Sequence, residues 1–435
     1  MIKARVAICR ICAVAAVGVA APTWAAPEVV PSITVSGGAL YTSNPFLSPG
    51  VTPDGSAVSI EVAPSVEIIG DRTQGIISGN IGYTQYLGSL GSTSGYRVQG
   101  VVLHRANDRL SLNARASFDS SILGARGFND PLRTLPFAQD IDPAPGTVPV
   151  PGAPVAPSVT PPLFATDGPI LGLGTSIIDS DLGLLGARQR RNLWSASGGL
   201  DYRSSARSTW SAEVNFSRAS YPGGSIITED YSSYGVTLGY RRALSETTSV
   251  GAGVGASRVD YARSPGSSVY SPRISISQRL RGGLSWNANA GVAFVSQATG
   301  TSTSAFADAS LCRTTLKSLL CLSASYAPSI TGVGSVRNQV GVSANYSYRL
   351  AERTSLSASV GYTQLPAQSG LLLNVPRVRP AQSFLTSDVV LNRRFSRAVS
   401  GYLGASYRKL DDSTVNVKAD YGVRIGIAFT LSRRP

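Results

Sequence analysis

The chain divides at short polar turns into about 18 segments in which apolar and small polar residues alternate. The last segment, residues 421–431, shows the pattern clearly: its odd positions are apolar or aromatic, and its even positions are polar or small. Because successive side chains of a strand point to opposite faces, each segment would be apolar on one face and polar on the other. Repetition of such a strand predicts an all-β chain that closes into a transmembrane antiparallel β-barrel, with lipid outside and water inside.

Most segments have about 10 to 14 residues, which lets a tilted strand cross a bilayer core. We predict strands near 32–42, 57–69, 75–87, 95–106, 109–121, 191–203, 208–220, 231–244, 248–260, 268–280, 283–297, 303–313, 318–330, 336–350, 354–365, 381–394, 398–410 and 415–431. The segment 303–313 has the weakest pattern, so 16 strands is the alternative count. Short charged connections alternate with a set that includes longer loops rich in Gly, Ser and Pro. This asymmetry predicts short periplasmic turns and long external loops.

The N-terminus has the features of a secretory signal peptide, which we place at residues 1–25. Lys3, Arg5 and Arg10 supply a positive start, and a short apolar core runs from 11 to 21. A retained membrane anchor is the alternative, although this apolar run is short for a membrane helix. Residues 26–435 would then form a barrel in the outer membrane of a Gram-negative cell.

The insertion at 122–190 differs from the rest of the chain. It holds eight prolines between Pro143 and Pro162, and proline cannot donate to a strand ladder. Two alternatives remain for this long Pro-rich loop: it folds into the pore as a constriction, or it stays outside as a surface loop.

The chain is strongly basic, with a formal net charge of +14 and a single histidine, His104. No recognition helix, zinc module or basic tail accompanies this charge, so nucleic acid is not an expected partner. For an exported protein, outer-membrane lipid and the phosphates of lipopolysaccharide are the expected counterparts.

Charge on the lipid face would cost about 2 to 4 kcal/mol at mid-membrane, so we assign the charged parity of each strand to the lumen. The arginines predicted to line the pore are Arg97, Arg109, Arg115, Arg203, Arg241, Arg273, Arg279, Arg349, Arg394, Arg408 and Arg424. Fewer acids share that parity, namely Glu61, Glu67, Asp119, Asp201, Glu213, Asp308 and Asp388. The excess predicts a mildly cationic lumen that favours anions or acidic sugars. The alternative is that the arginines are ion-paired wall residues.

Removal of the signal peptide leaves two cysteines, Cys312 and Cys321, on either side of a turn. We expect them to stand opposite each other on paired strands and to form a disulfide after export, with two free thiols as the alternative. Residues 251–255 have the glycines of a phosphate loop but the period of a strand, which favours a wall of small residues. No serine or cysteine arrangement points to His104, and no cofactor, metal or enzymatic activity is predicted.

Two stretches resemble known outer-membrane barrels. Residues 424–431 match the polar-x-Gly-x-x-aromatic-x-hydrophobic pattern that the barrel assembly machinery reads on a final strand, although Ser432-Arg-Arg-Pro435 follows here. Residues 38–46 resemble the opening of the β-barrel porin 2 family, with Thr42 and Ser43 where that family usually has acids. The family is frequently associated with exopolysaccharide clusters of Gram-negative bacteria.

This resemblance implies a channel that lets a polysaccharide cross the outer membrane and works with a periplasmic polysaccharide export protein. Export of a polysaccharide through the cationic lumen is therefore the expected function. A passive porin or a channel for sugar or anion uptake is the main alternative. An outer-membrane enzyme and a scaffold or adhesin are further alternatives.

Overall fold

The computed structural model describes residues 27–50, 54–123, 125, 185, 188–223, 228–298, 300–331, 335–372, 375–379, 381–412 and 415–432. The predicted signal peptide and most of the insertion at 122–190 lie outside these residues. Within them, no helix is long and apolar enough to cross a membrane.

Eighteen strands form one antiparallel sheet. They are β1 (Glu28–Thr42), β2 (Gly55–Ile69), β3 (Thr73–Tyr86), β4 (Ser92–Arg105), β5 (Leu110–Ile122), β6 (Arg190–Ser205), β7 (Ser208–Ser220), β8 (Tyr231–Ala243), β9 (Thr248–Tyr261), β10 (Ser267–Arg279), β11 (Leu284–Gln297), β12 (Gly300–Thr314), β13 (Ser318–Thr331), β14 (Ser335–Ala351), β15 (Thr354–Leu365), β18 (Gln382–Arg394), β19 (Val399–Asp412) and β20 (Asp420–Ser432). Each predicted strand has a counterpart, including the weak segment at 303–313. The predicted 18-stranded barrel is confirmed, and the count of 16 is wrong.

The sheet closes on itself through its first and last strands. β1 pairs with β20 from Ser32↔Ser432 to Thr42↔Gly422, while its other edge pairs with β2. Closure removes the free strand edges that would otherwise expose unpaired backbone groups, which no span in hydrocarbon can tolerate.

The two ends of the barrel carry different connections. Residues 70–72, 206–207 and 352–353 are among the short turns at one end, which we call the turn end. The opposite end, the loop end, carries the longer connections, although its links at 298–299 and 332–334 are also short. The loop after β15 contains a small hairpin of β16 (Gln368–Leu372) and β17 (Val375–Arg379).

Exposure alternates along the strands as the sequence pattern predicts. In β20, Tyr421, Ile425 and Leu431 are 60%, 60% and 68% exposed, whereas Asp420 is fully buried. The apolar parity is therefore the convex face of the barrel, and the polar parity is the crowded concave face. Charged residues on the convex parity of the described strands lie within four residues of a strand end; they include Arg218, Arg258, Asp260, Arg313, Arg393, Lys409 and Asp411. An apolar belt free of charge remains between them, as a bilayer requires.

Aromatic side chains border this belt at both ends. Near the turn end, the rings of Trp210 and Tyr240 lie 4.8 Å apart. Near the loop end, Phe118 and Trp194 lie 4.1 Å apart, and Tyr270 and Phe294 lie 6.3 Å apart. Two such rows are typical of barrels whose aromatic girdles lie at the membrane interfaces.

The strand boundaries differ from the prediction at both termini. β1 begins at Glu28 and includes Pro31, whereas the predicted strand begins near residue 32. β20 begins at Asp420 instead of 415, because Val415 makes only an isolated bridge to Asp412. Proline still affects pairing elsewhere: the β2–β3 register omits Pro64, consistent with its missing N–H group.

Candidate functional site in the barrel lumen

The first loop follows Thr42, and its described residues 43–50 turn into the mouth of the barrel at the loop end. Phe46 is only 2% exposed and belongs to a cluster with Leu40, Ala57 and Tyr86. Its ring centroid lies 5.4 Å from that of Tyr86, the last residue of β3. Phe46 therefore packs on one side of the concave wall.

The next residue, Leu47, packs on a different part of the wall. It is fully buried in a cluster that includes Val417 of the β19–β20 loop and Leu365, Phe384 and Leu410, which lie near the loop ends of β15, β18 and β19. Its φ is 54°, in the left-handed region that leucine rarely adopts. Phe46 and Leu47 thus belong to two different clusters, and both side chains pack against the concave side of the mouth.

A buried ion pair fixes the base of the first loop. The guanidinium of Arg408 lies 2.7 Å from the carboxylate of Asp420, and the side chains are 3% and 0% exposed. Asp420 also accepts hydrogen bonds from the Thr42 hydroxyl at 2.6 Å and the Asn44 backbone N–H at 3.0 Å. Arg408 donates in addition to the carbonyl oxygen of Pro45 at 3.1 Å. Buried charges need such partners to offset lost hydration, and here the partners come from the end of β1 and from the first loop.

The structure separates the predicted pore-lining arginines into three groups. Three are ion-paired within the wall: Arg97 with Asp119 at 2.8 Å, Arg424 with Asp388 at 2.7 Å, and Arg408 with Asp420 as above. Six others are exposed and lie toward the turn end, namely Arg109, Arg203, Arg241, Arg279, Arg349 and Arg394. Arg115 and Arg273 are partly buried halfway along the wall. The role of all eleven arginines in a conducting pore stays a prediction.

The two mid-wall arginines lie close to acids. Glu213 of β7 interacts electrostatically with Arg115 and Arg273 and with the like charge of Asp201, and it accepts a hydrogen bond from Ser197. This group carries two positive and two negative charges. The positive excess predicted for the whole lumen therefore does not extend to this part of the wall.

Beside these charges, the concave face of β8 and β9 has few side chains. Gly235 and Gly239 of β8 and Gly251, Gly253 and Gly255 of β9 occupy alternating positions there, and we call these five residues the glycine wall. The predicted wall of small residues at 251–255 thus lies within a strand. A Cβ atom at Gly253 would lie only 2.9 Å from the carbonyl oxygen of Leu238, so larger residues do not fit without a shift.

The two cysteines lie directly opposite each other in the β12–β13 register, near the turn end. They are joined as a disulfide in the structure. The bond closes a hairpin and lies on the same parity as Asp308, at a distance from the first loop.

No enzyme-like arrangement surrounds His104 in the described part of the chain. The imidazole hydrogen-bonds the hydroxyl of Thr73 at 2.8 Å across the β3–β4 pair. Among the described residues, no group of three or more His, Cys, Asp or Glu side chains is placed to hold a metal ion.

Sequence reasoning missed the residues that fix the first loop. Asp420 has the same parity as Arg424 in the final segment, so alternation alone could have placed it on the concave face. Phe46 and Leu47 offer no comparable signal, because a loop has no period that reveals which way it bends.

No protein-family model matches the chain, and no curated protein sequence is significantly similar to it. Among solved structures, Pseudomonas aeruginosa OccK2 (OpdF) is similar at 11% identity and a TM-score of 0.43, covering 93% of this chain and 98% of that one. Pseudomonas aeruginosa OprD is similar at 8% identity and a TM-score of 0.43, covering 95% and 98%. The FrpB iron transporter from Neisseria meningitidis has 9% identity and a TM-score of 0.41, covering 92% and 82%. At this level of similarity, nothing about substrates or partners follows for this chain.

Proposed function

We propose that the chain is an outer-membrane porin through which small hydrophilic solutes diffuse passively. A closed barrel with an apolar convex belt and a polar concave face has the architecture of such a channel. The inward first loop is the observation that carries the proposal: Phe46 and Leu47 reduce the width of the mouth that an 18-stranded barrel would otherwise offer. A narrowed mouth suits small solutes better than a polymer.

Polysaccharide export, the function implied by the family resemblance, gains no support from this geometry or from the comparisons. The partner implied with it, a periplasmic export protein, likewise stays a prediction. The arginines near the turn end favour a weak preference for anions, because they are exposed and outnumber the acids of that parity.

The proposal is tested with the purified mature chain in liposomes that hold an impermeant polymer. Monosaccharides should enter and swell the liposomes, while oligosaccharides of increasing length should enter progressively more slowly. A reversal potential in a KCl gradient measures the preference for anions. Equal entry of long and short sugars, or loss of surface polysaccharide on gene deletion with no porin activity, would contradict the proposal and favour export.

A further inference from the structure

The turn end of the barrel has an open groove between two adjacent short turns. The groove has a volume of about 550 Å³ and is lined by residues 351–354, between β14 and β15, and by residues 393–395, at the end of β18. The backbone N–H of Arg394 donates to the carbonyl oxygen of Arg353 at 2.8 Å. This bond continues the ladder of β15 and β18, so the pairing of the two strands fixes the two sides of the groove.

The groove has an excess of positive charge. Arg353, Arg393 and Arg394 line it and are exposed, and Glu352 is the one acid among its lining residues. The guanidinium groups of Arg353 and Arg393 have no hydrogen-bond or ion-pair partner among the described residues. Because like charges held close together repel each other, this arrangement favours an anion in the groove. A phosphate group suits it, since the guanidinium fork matches the geometry of phosphate oxygens.

One border of the groove lies on the lipid-facing surface of the barrel. Along β18, Leu391, Arg393 and Phe395 share the convex parity, and each is exposed. A Cβ atom on Gly401 of β19, which shares the convex parity of Leu403, would lie 2.8 Å from the Phe395 ring. The ring therefore lies on the convex surface. Arg393 stands between two apolar side chains that face lipid, an arrangement typical of an arginine at the level of the headgroups.

Arg393 is one of three convex arginines near the turn end. On the convex parity of the described strands, that end carries Arg242, Arg313 and Arg393 and no acidic side chain. Arg242 lies on β8 and Arg313 on β12, and neither lines this groove. These two arginines share the face and the end of the barrel with Arg393, so they offer a comparison that isolates the groove from surface charge in general.

We propose that this groove binds the phosphate of an anionic phospholipid, such as phosphatidylglycerol, in the leaflet that meets the turn end. Arg353 and Arg393 donate to the phosphate oxygens, and Phe395 contacts the apolar part of the lipid. Basic pockets at a membrane surface recognise anionic headgroups in this way. The positive excess of the groove favours a lipid with a net negative charge over a zwitterionic one. The inference depends on the barrel lying in a membrane and not on what its lumen conducts.

Native mass spectrometry of the purified mature chain in detergent, titrated with phosphatidylglycerol or phosphatidylcholine, tests the groove. The wild type should bind phosphatidylglycerol more tightly. Arg353→Gln combined with Arg393→Gln should weaken that binding about 30-fold, or about fivefold for each arginine near the membrane surface. Arg242→Gln combined with Arg313→Gln is the matched control, because it removes the same charge outside the groove and should leave the binding unchanged.

Glu352→Gln gives a result that misfolding could not imitate. It removes the acid of the groove and should tighten phosphatidylglycerol binding about two- to fivefold. Equal binding of the two lipids by the wild type, or equal weakening by the two double variants, would overturn the proposal. Displacement of the lipid by an equal concentration of inorganic phosphate would show that the groove takes a free anion, and would overturn it too. None of these outcomes depends on whether the chain conducts, so the porin function is tested separately.

Discussion

Two opposite sides of the lumen are built in contrasting ways. Around the seam of β1 and β20, the concave face is filled by the first loop, the Arg408–Asp420 pair and Tyr402, which is 8% exposed. On the other side, the glycine wall of β8 and β9 adds no side chains of its own and is covered by polar side chains of the neighbouring strands, such as Ser211, Arg273 and Ser275. In a ring of 18 strands, β9 and β20 lie nine strands apart in either direction.

The comparison teaches that lumen width is set locally by side-chain volume and not by strand number alone. An 18-stranded barrel is wide enough for an aqueous channel. In this barrel, the first loop and the buried side chains near β1 and β20 occupy part of that width. The packed side therefore takes up more of the interior than the number of strands alone predicts.

Asp420→Asn disrupts the packed side of the lumen at β1 and β20, and it has the largest expected effect. It leaves the Arg408 guanidinium buried without its counter-charge, which should lower the free energy of unfolding by about 3 to 5 kcal/mol. Because Asp420 also holds Thr42 and Asn44, the first loop should detach and the single-channel conductance should rise. Denaturant unfolding in detergent and bilayer recording measure the two effects.

The control for this variant is Asp260→Asn. It removes the partner of Arg258 in a pair whose side chains are 49% and 68% exposed. Surface pairs contribute about 0 to 1 kcal/mol, so neither stability nor conductance should change noticeably. Equal losses from the two variants would contradict the role given to the buried pair.

Cys312→Ser tests the disulfide, which belongs neither to the packed side at β1 and β20 nor to the glycine wall. The disulfide closes a short hairpin, so its loss should cost about 2 to 4 kcal/mol, with no change in conductance. In the wild type, a thiol reagent should label the unfolded mature chain only after reduction. Labelling without reductant would mean that the two thiols are free.

Gly253→Ala sharpens the comparison by adding volume to the glycine wall. Its Cβ would crowd the Leu238 carbonyl oxygen at 2.9 Å and Arg273 Nε at 3.3 Å, at a cost of about 1 to 3 kcal/mol. Conductance should fall slightly. Gly198→Ala is the control, because the nearest atom to its added Cβ would be 4.0 Å away. An equal fall in stability and conductance in this variant would contradict the claim that the glycine wall is especially sensitive to added volume.

The sequence predicted the strands well because alternation is a local signal repeated in every span. Segment 303–313 was weak because its convex residues are mostly Thr and Ala, yet both neighbouring strands pair with it. The lumen was harder to predict. Which arginines find acids depends on the register, as when Arg424 reaches Asp388 past the intervening strand β19, and the first loop depends on contacts between residues far apart in the chain.

The central claim is that neighbouring side chains of each strand meet different solvents. A nitroxide scan of positions 421–431, with the chain reconstituted in vesicles, measures this directly. Oxygen, which concentrates in lipid, should relax the label most at the odd positions, and a water-soluble nickel chelate should do so at the even positions. Equal accessibility to the two reagents along the whole segment, or the opposite parity, would contradict the transmembrane barrel.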